Sequence, residues 1–119
     1  MPRYSLLRHT DAPDDPSGCH FDLLLEDGTA CRTWRLPELP SINGAAQDAV
    51  SLPDHRLVWL EPRSAAVSGN RGWAERIGGG HYRGALPEQV DADLIVELSD
   101  GPLAGQLTIS AGLCRVTRP

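Results

Sequence analysis

Lysine is missing from the chain: all eleven basic residues are arginine. That one absence removes every mechanism in which a lysine must form a Schiff base, carry an adenylate or cradle the phosphates of a P-loop. Cysteine is scarce too. Cys19, Cys31 and Cys114 form an odd set without a CxxC pair, which argues against a structural zinc site or a disulfide framework and leaves buried free thiols as the expectation. No apolar run approaches the ~20 residues that a membrane-spanning helix needs. The opening MPRYSLLRHT has no apolar stretch of signal-peptide length, so a cytoplasmic protein with no membrane partner is expected. Positive charge is also short, with 11 arginines against 16 acidic residues and a net charge of −5. A surface of that sign does not grip long DNA by bulk electrostatics. Any nucleic-acid contact has to be local, in a pocket supplied with arginine or a cation. Arginine, where it occurs, suits bidentate phosphate contact better than lysine would.

What the chain does have is punctuation. Its 119 residues fit one domain, 1–119, and its 12 glycines and 10 prolines are scattered as turn signals. Between them lie short β-like runs at 3–9, 20–26, 30–36, 55–61, 72–77, 93–99, 106–110 and 113–117. No window sustains a 3.6-residue period over ten residues. The best helical candidate is INGAAQDAV (42–50), two turns at most. The expected fold is all-β, a small closed or partly open antiparallel β-barrel of about eight strands. Two segments read as loops: the acidic TDAPDDPSG (10–18), with no apolar anchor, and the long stretch 36–54.

The run CHFDLLLE (19–26) mixes two chemistries. With period two, Phe21, Leu23 and Leu25 face one side, towards a core, while His20, Asp22, Leu24 and Glu26 face the other. A histidine and an aspartate at i and i+2 on one strand can be two ligands of one metal ion. A mixed nitrogen and oxygen donor set suits Mn²⁺ or Zn²⁺. A solvent-facing polar edge with an ordinary His–Asp hydrogen bond is the alternative that the octapeptide leaves open. If the first two runs pair as antiparallel neighbours, His9 arrives beside His20 and completes a His/His/Asp set with positions free for water and substrate. His55 starts another run, as a functional group or a solvated turn residue. His81, in GGGHYRG, reads as a turn histidine, since GGG matches no phosphate-binding spacing. SGNRG (68–72) is a loop that could hold a phosphate or simply close a hairpin. A G-x-S-x-G elbow is absent.

Taken in order, RH (8–9), HFDLLLE (20–26), RTWRLP (32–37), LPDHRLVWLE (52–61) and SGNRG (68–72) form a series. It resembles the 3′-phosphoesterase domain attached to bacterial DNA ligase D and the short stand-alone relatives of that domain. The likeness runs from about residue 3 to residue 84. It implies a small β-barrel with a metal site in a groove, and a Mn²⁺-dependent enzyme (Zn²⁺ or another divalent ion being alternatives). Such an enzyme trims 3′ ends of DNA, removing a terminal ribonucleoside and then the 3′-phosphate. The resemblance implies His9, His20 and Asp22 as metal ligands and His55 as the phosphate contact.

The departures are specific. Leu24 stands where the family strand usually carries a phosphate-holding arginine, and Trp59 where it has a tyrosine. Glu38 falls near the place of a lysine and Gln47 near that of a further arginine. Arg32, Arg71 and Arg76 are the expected substitutes in phosphate binding. The implied partner is the 3′ end of DNA or RNA-tipped DNA, beside ligase and polymerase proteins of non-homologous end joining, with a monomer as the default. A weakly active or non-catalytic module that binds metal or nucleic-acid ends is the alternative.

Overall fold

A computed structural model describes residues 1–118. Ten strands form one antiparallel sheet: β1 (Arg3–Thr10), β2 (Cys19–Asp27), β3 (Ala30–Leu36), β4 (Gln47–Asp48), β5 (Val50–His55), β6 (Ser64–Ala66), β7 (Trp73–Arg83), β8 (Leu94–Leu98), β9 (Gly105–Ser110) and β10 (Leu113–Thr117). Their order is β4-β10-β9-β8-β7-β1-β2-β3-β5, with β6 on β7. The all-β expectation stands, with ten strands in place of about eight. The hydrogen-bonded path is open, although its two end strands, β4 and β5, are separated in the chain only by Ala49. Among the described residues no helix is long and apolar enough to cross a membrane.

The apolar alternation explains two cores. Tyr4 and Leu6 of β1, Leu23 and Leu25 of β2, and Trp34 and Leu36 of β3 point inward with Leu94, Val96, Leu98, Leu107 and Val116. Leu7, Leu24 and Cys31 point the other way and form a smaller cluster with Trp59, Leu60 and Ala74. Leu23, Leu24 and Leu25 can therefore run apolar without a break because β2 is covered on both faces. The cover on the second face is a 3₁₀ turn over Leu57–Leu60, with Trp59 and Leu60 buried.

That turn corrects one expectation. The run 55–61 is no strand: β5 ends at His55, and the chain coils so that the consecutive Trp59 and Leu60 both reach the sheet. The helix expected at 42–50 is also absent. Asn43 takes a left-handed φ of 61°, its N–H donates to the Val116 carbonyl at 2.7 Å, and Gln47–Asp48 pair with β10. Two turns are too few to hold a helix against a sheet edge offering partners. His81 lies in β7, not in a turn. Gly78, Gly79 and Gly80 continue that strand, and a side chain at Gly80 would collide with Asp100. Their job is close approach of the 100–102 segment, whose Asp100 accepts from the His81 N–H at 2.7 Å.

Candidate metal centre

Strands β1 and β2 pair with His9 opposite His20 and Leu7 opposite Asp22, so both histidines and the aspartate share the second face. All three are buried; Asp22 is 1% exposed. His9 Nδ1 lies 3.6 Å from Asp22 Oδ2, and His20 Nε2 lies 3.5 Å from Asp22 Oδ1. Candidate ligand atoms of the three residues lie within 4.8 Å of one another. His55, at the end of β5, brings its Nε2 to 3.6 Å from Asp22 Oδ2, with its side chain a quarter exposed.

The outer nitrogen of each ring is already committed. His9 Nε2 is 2.6 Å from the Arg71 carbonyl, which can only accept, so Nε2 carries the proton and Nδ1 turns its lone pair to Asp22. His20 Nδ1 donates to the Asp15 carboxylate at 2.7 Å, leaving the lone pair of Nε2 facing Asp22. His55 Nδ1 donates to the Pro53 carbonyl at 3.2 Å. Ring nitrogens held in this way by a carboxylate or carbonyl are the usual support of metal-ligating histidines. Three imidazole lone pairs around one carboxylate repel each other unless a proton or a metal cation lies between them. His20 Nε2 and Asp22 Oδ1 are buried with no hydrogen-bond partner among the described residues. A cation about 2.1 Å from each donor needs donor separations of about 3–3.5 Å, close to the two His–Asp distances. The residues fit a divalent metal.

Electrostatics point the same way. Burial alone would raise the Asp22 pKa, but the imidazoles of His20, His55 and His9 around it outweigh that and hold the carboxyl well below the usual range. Asp22 in turn raises the pKa of His9, against the opposing effect of burial. The Ser17 hydroxyl, and then His20, hold Asp15 down at about 2.

Two of these supports were not foreseen. Asp15 sits in the acidic 11–18 segment, which is a built turn: Asp11 N–H donates to the Gly18 carbonyl at 3.2 Å, Gly18 N–H donates to the Asp15 carbonyl at 3.1 Å, and Ala12 is buried. The Arg71 carbonyl reaches His9 because the next residue is Gly72, with φ +91° and backbone so close that a Cβ would collide with the Thr10 carbonyl. Thus SGNRG serves the centre through its main chain.

A cavity of about 590 Å³ opens beside His9, Asp22 and His55, and its other lining residues include Trp59, Arg35, Arg56, Arg63 and Arg71. Arg63 stacks over the Trp59 ring, 4.9 Å from the centroid. Of the arginines expected at a phosphate, Arg71 lines this groove. Arg32 lies on the opposite face of β3, paired with Asp27 at 3.1 Å, and Arg76 donates to Ser5 Oγ at 2.8 Å further along the sheet; neither lines the cavity. Leu24 is fully buried in the second core. Arg35 was missed, although a signal existed. The two-residue turn Gly28-Thr29 sets Asp27 opposite Ala30, and counting back from it puts Arg35 opposite Asp22 and Arg32 opposite Leu25.

No family model and no curated protein matches this chain.

Proposed function

We propose that the chain is a divalent-metal-dependent phosphoesterase that trims 3′ ends of nucleic acid, with Mn²⁺ as the metal and the 3′ end of DNA or RNA-tipped DNA as the partner. The observation that carries this reading is the buried carboxylate faced by three anchored imidazoles at the mouth of an arginine-lined groove. In this reading β4 and β5, joined through Ala49, bring the sheet round into a barrel-like wall behind the groove. The cellular setting is cytoplasmic DNA end repair.

His9, His20 and Asp22 would hold the metal. When bound, a divalent cation supplies charge against phosphoryl oxygens and makes a nearby water more acidic. The chain's own residues do the rest. Asp15 and the Arg71 carbonyl fix the two ring tautomers, so both histidines present lone pairs inward. His55, more exposed than the other two and held at Nδ1 by Pro53, faces both Asp22 and the groove; when protonated, its Nε2 can donate to a leaving oxygen or to developing negative charge. Trp59, Leu60 and Leu24 form a dry floor beside the centre, where each electrostatic contact is stronger than in water.

The test is release of phosphate from a primer-template bearing a 3′-phosphate, and of the nucleoside from one bearing a 3′-ribonucleotide, with and without Mn²⁺. Metal-dependent release that His9→Ala and Asp22→Ala abolish is expected. Tight Mn²⁺ binding without any release would sink the enzymatic reading in favour of a module that binds metal and strand ends.

A further inference from the structure

Arg35 is the one groove arginine that the strand register places directly across from the buried carboxylate: Asp22 and Arg35 are Cα partners on β2 and β3. Its side chain is three-quarters covered, so it is held by the fold, unlike the exposed Arg71. Its guanidinium is only partly used. Nη2 reaches the exposed Asp14 carboxylate at 3.3 and 3.5 Å, while Nε is buried without a partner among the described residues. A buried, charged N–H left unsatisfied costs free energy and is unusual in a folded protein. The same side chain lines the cavity with His9, Asp22 and His55.

The geometry points to Arg35 as the anion-gripping half of a two-part seat. Its Nε–Nη2 edge takes two oxygens of a phosphoryl group that lies against the His9–His20–Asp22 centre, and Asp14 is the carboxylate that keeps part of that edge occupied until the ligand arrives. A planar guanidinium presents paired donors at the spacing of phosphate oxygens. Asp14 is a weak competitor, because it is 68% exposed and its contact is long. An incoming phosphate satisfies the orphan Nε and returns Asp14 to water. The assignment rests on the phosphoesterase reading for its ligand class, but binding tests it without turnover.

The experiment is calorimetric titration of inorganic phosphate into the Mn²⁺-loaded full chain. Wild type should bind phosphate. Arg35→Gln should weaken that binding by at least about tenfold, the loss expected for a charge-assisted bidentate contact, with Mn²⁺ affinity not weakened. Arg115→Gln, exposed on β10 and outside the groove, should bind as wild type does. Asp14→Asn should tighten phosphate binding several-fold, and it carries the test if Arg35→Gln does not fold. Undiminished phosphate affinity in Arg35→Gln, unchanged affinity in Asp14→Asn, or no phosphate binding by wild type would each overturn the assignment. Phosphate binding through Arg35 without cleavage of any oligonucleotide would leave the seat standing and remove only the enzymatic reading.

Discussion

Asp22 is a charge almost wholly withdrawn from water, and its neighbours offset that cost in one of two ways: a proton shared with an imidazole, or a metal. The two solutions have opposite pH dependence. In metal-free protein the His9 pKa is raised by Asp22, so its contribution to stability is full below the unfolded value of about 6.5 and fades as pH rises through the folded value. The Asp22 pKa is depressed, so its contribution is present above about 3.9 and is lost only as pH falls. Metal-free protein should therefore be best served by these two groups between about pH 4 and 6.5. A metal competes with the proton for His9 Nδ1, so its stabilisation grows with pH. Melting curves in chelator and in Mn²⁺ should diverge steadily between pH 5.5 and 7.5. A gap that stays constant across that range would mean that His9 is not a ligand.

At the scale of the element, β2 was legible and its cover was not. Period-two alternation sets Leu23 and Leu25 against His20, Asp22 and Leu24, and the pairing of β1 with β2 brings His9 to His20. These are local rules, and they brought His9, His20 and Asp22 together on one face. The 3₁₀ turn over 57–60 was beyond them, because LVWL is a short unbroken apolar run of the kind a buried strand also shows, and only the space above Leu24 decides its conformation. Arg35 and Asp15 escaped for different reasons. Arg35 needed the hairpin register to be counted out, and Asp15 comes from a turn whose hydrogen bonds leave no periodic trace. The same packing predicts that an arginine would be poorly accommodated at position 24. Leu24→Arg would put a guanidinium into the apolar cluster beneath Trp59 and Leu60, and it should cost several kcal/mol, on the order of the larger core defects. Leu24→Met, close in volume, should cost less than about 1.5 kcal/mol. Urea unfolding of the two variants checks this; a stable Leu24→Arg protein would show that the second core is open to solvent.

Over the whole molecule, the charge distribution sets how such a centre can meet nucleic acid. Net charge is −5, yet Arg35, Arg56, Arg63 and Arg71 all line one groove. If the chain acts on strand ends as proposed, attraction would be confined to a few phosphates at the end of a strand, and the rest of a long duplex would meet a protein of net charge of its own sign. Counterion release scales with the phosphates neutralised, with a slope of about −0.7 for each one on a single strand. Two or three contacts give a slope of about −1.4 to −2.1, or a loss of roughly seven- to twentyfold between 50 and 200 mM salt, against about a thousandfold or more for proteins that track the backbone. Anisotropy titrations of Mn²⁺-loaded protein with 3′-phosphate oligonucleotides would read this slope. Lengthening the strand from about six to about twenty nucleotides should change affinity less than about threefold, because the added phosphates lie beyond the groove and beyond the Debye length of about 8 Å. A steep slope, or affinity that climbs with length, would place the contact surface outside the groove and detach nucleic-acid binding from the metal centre.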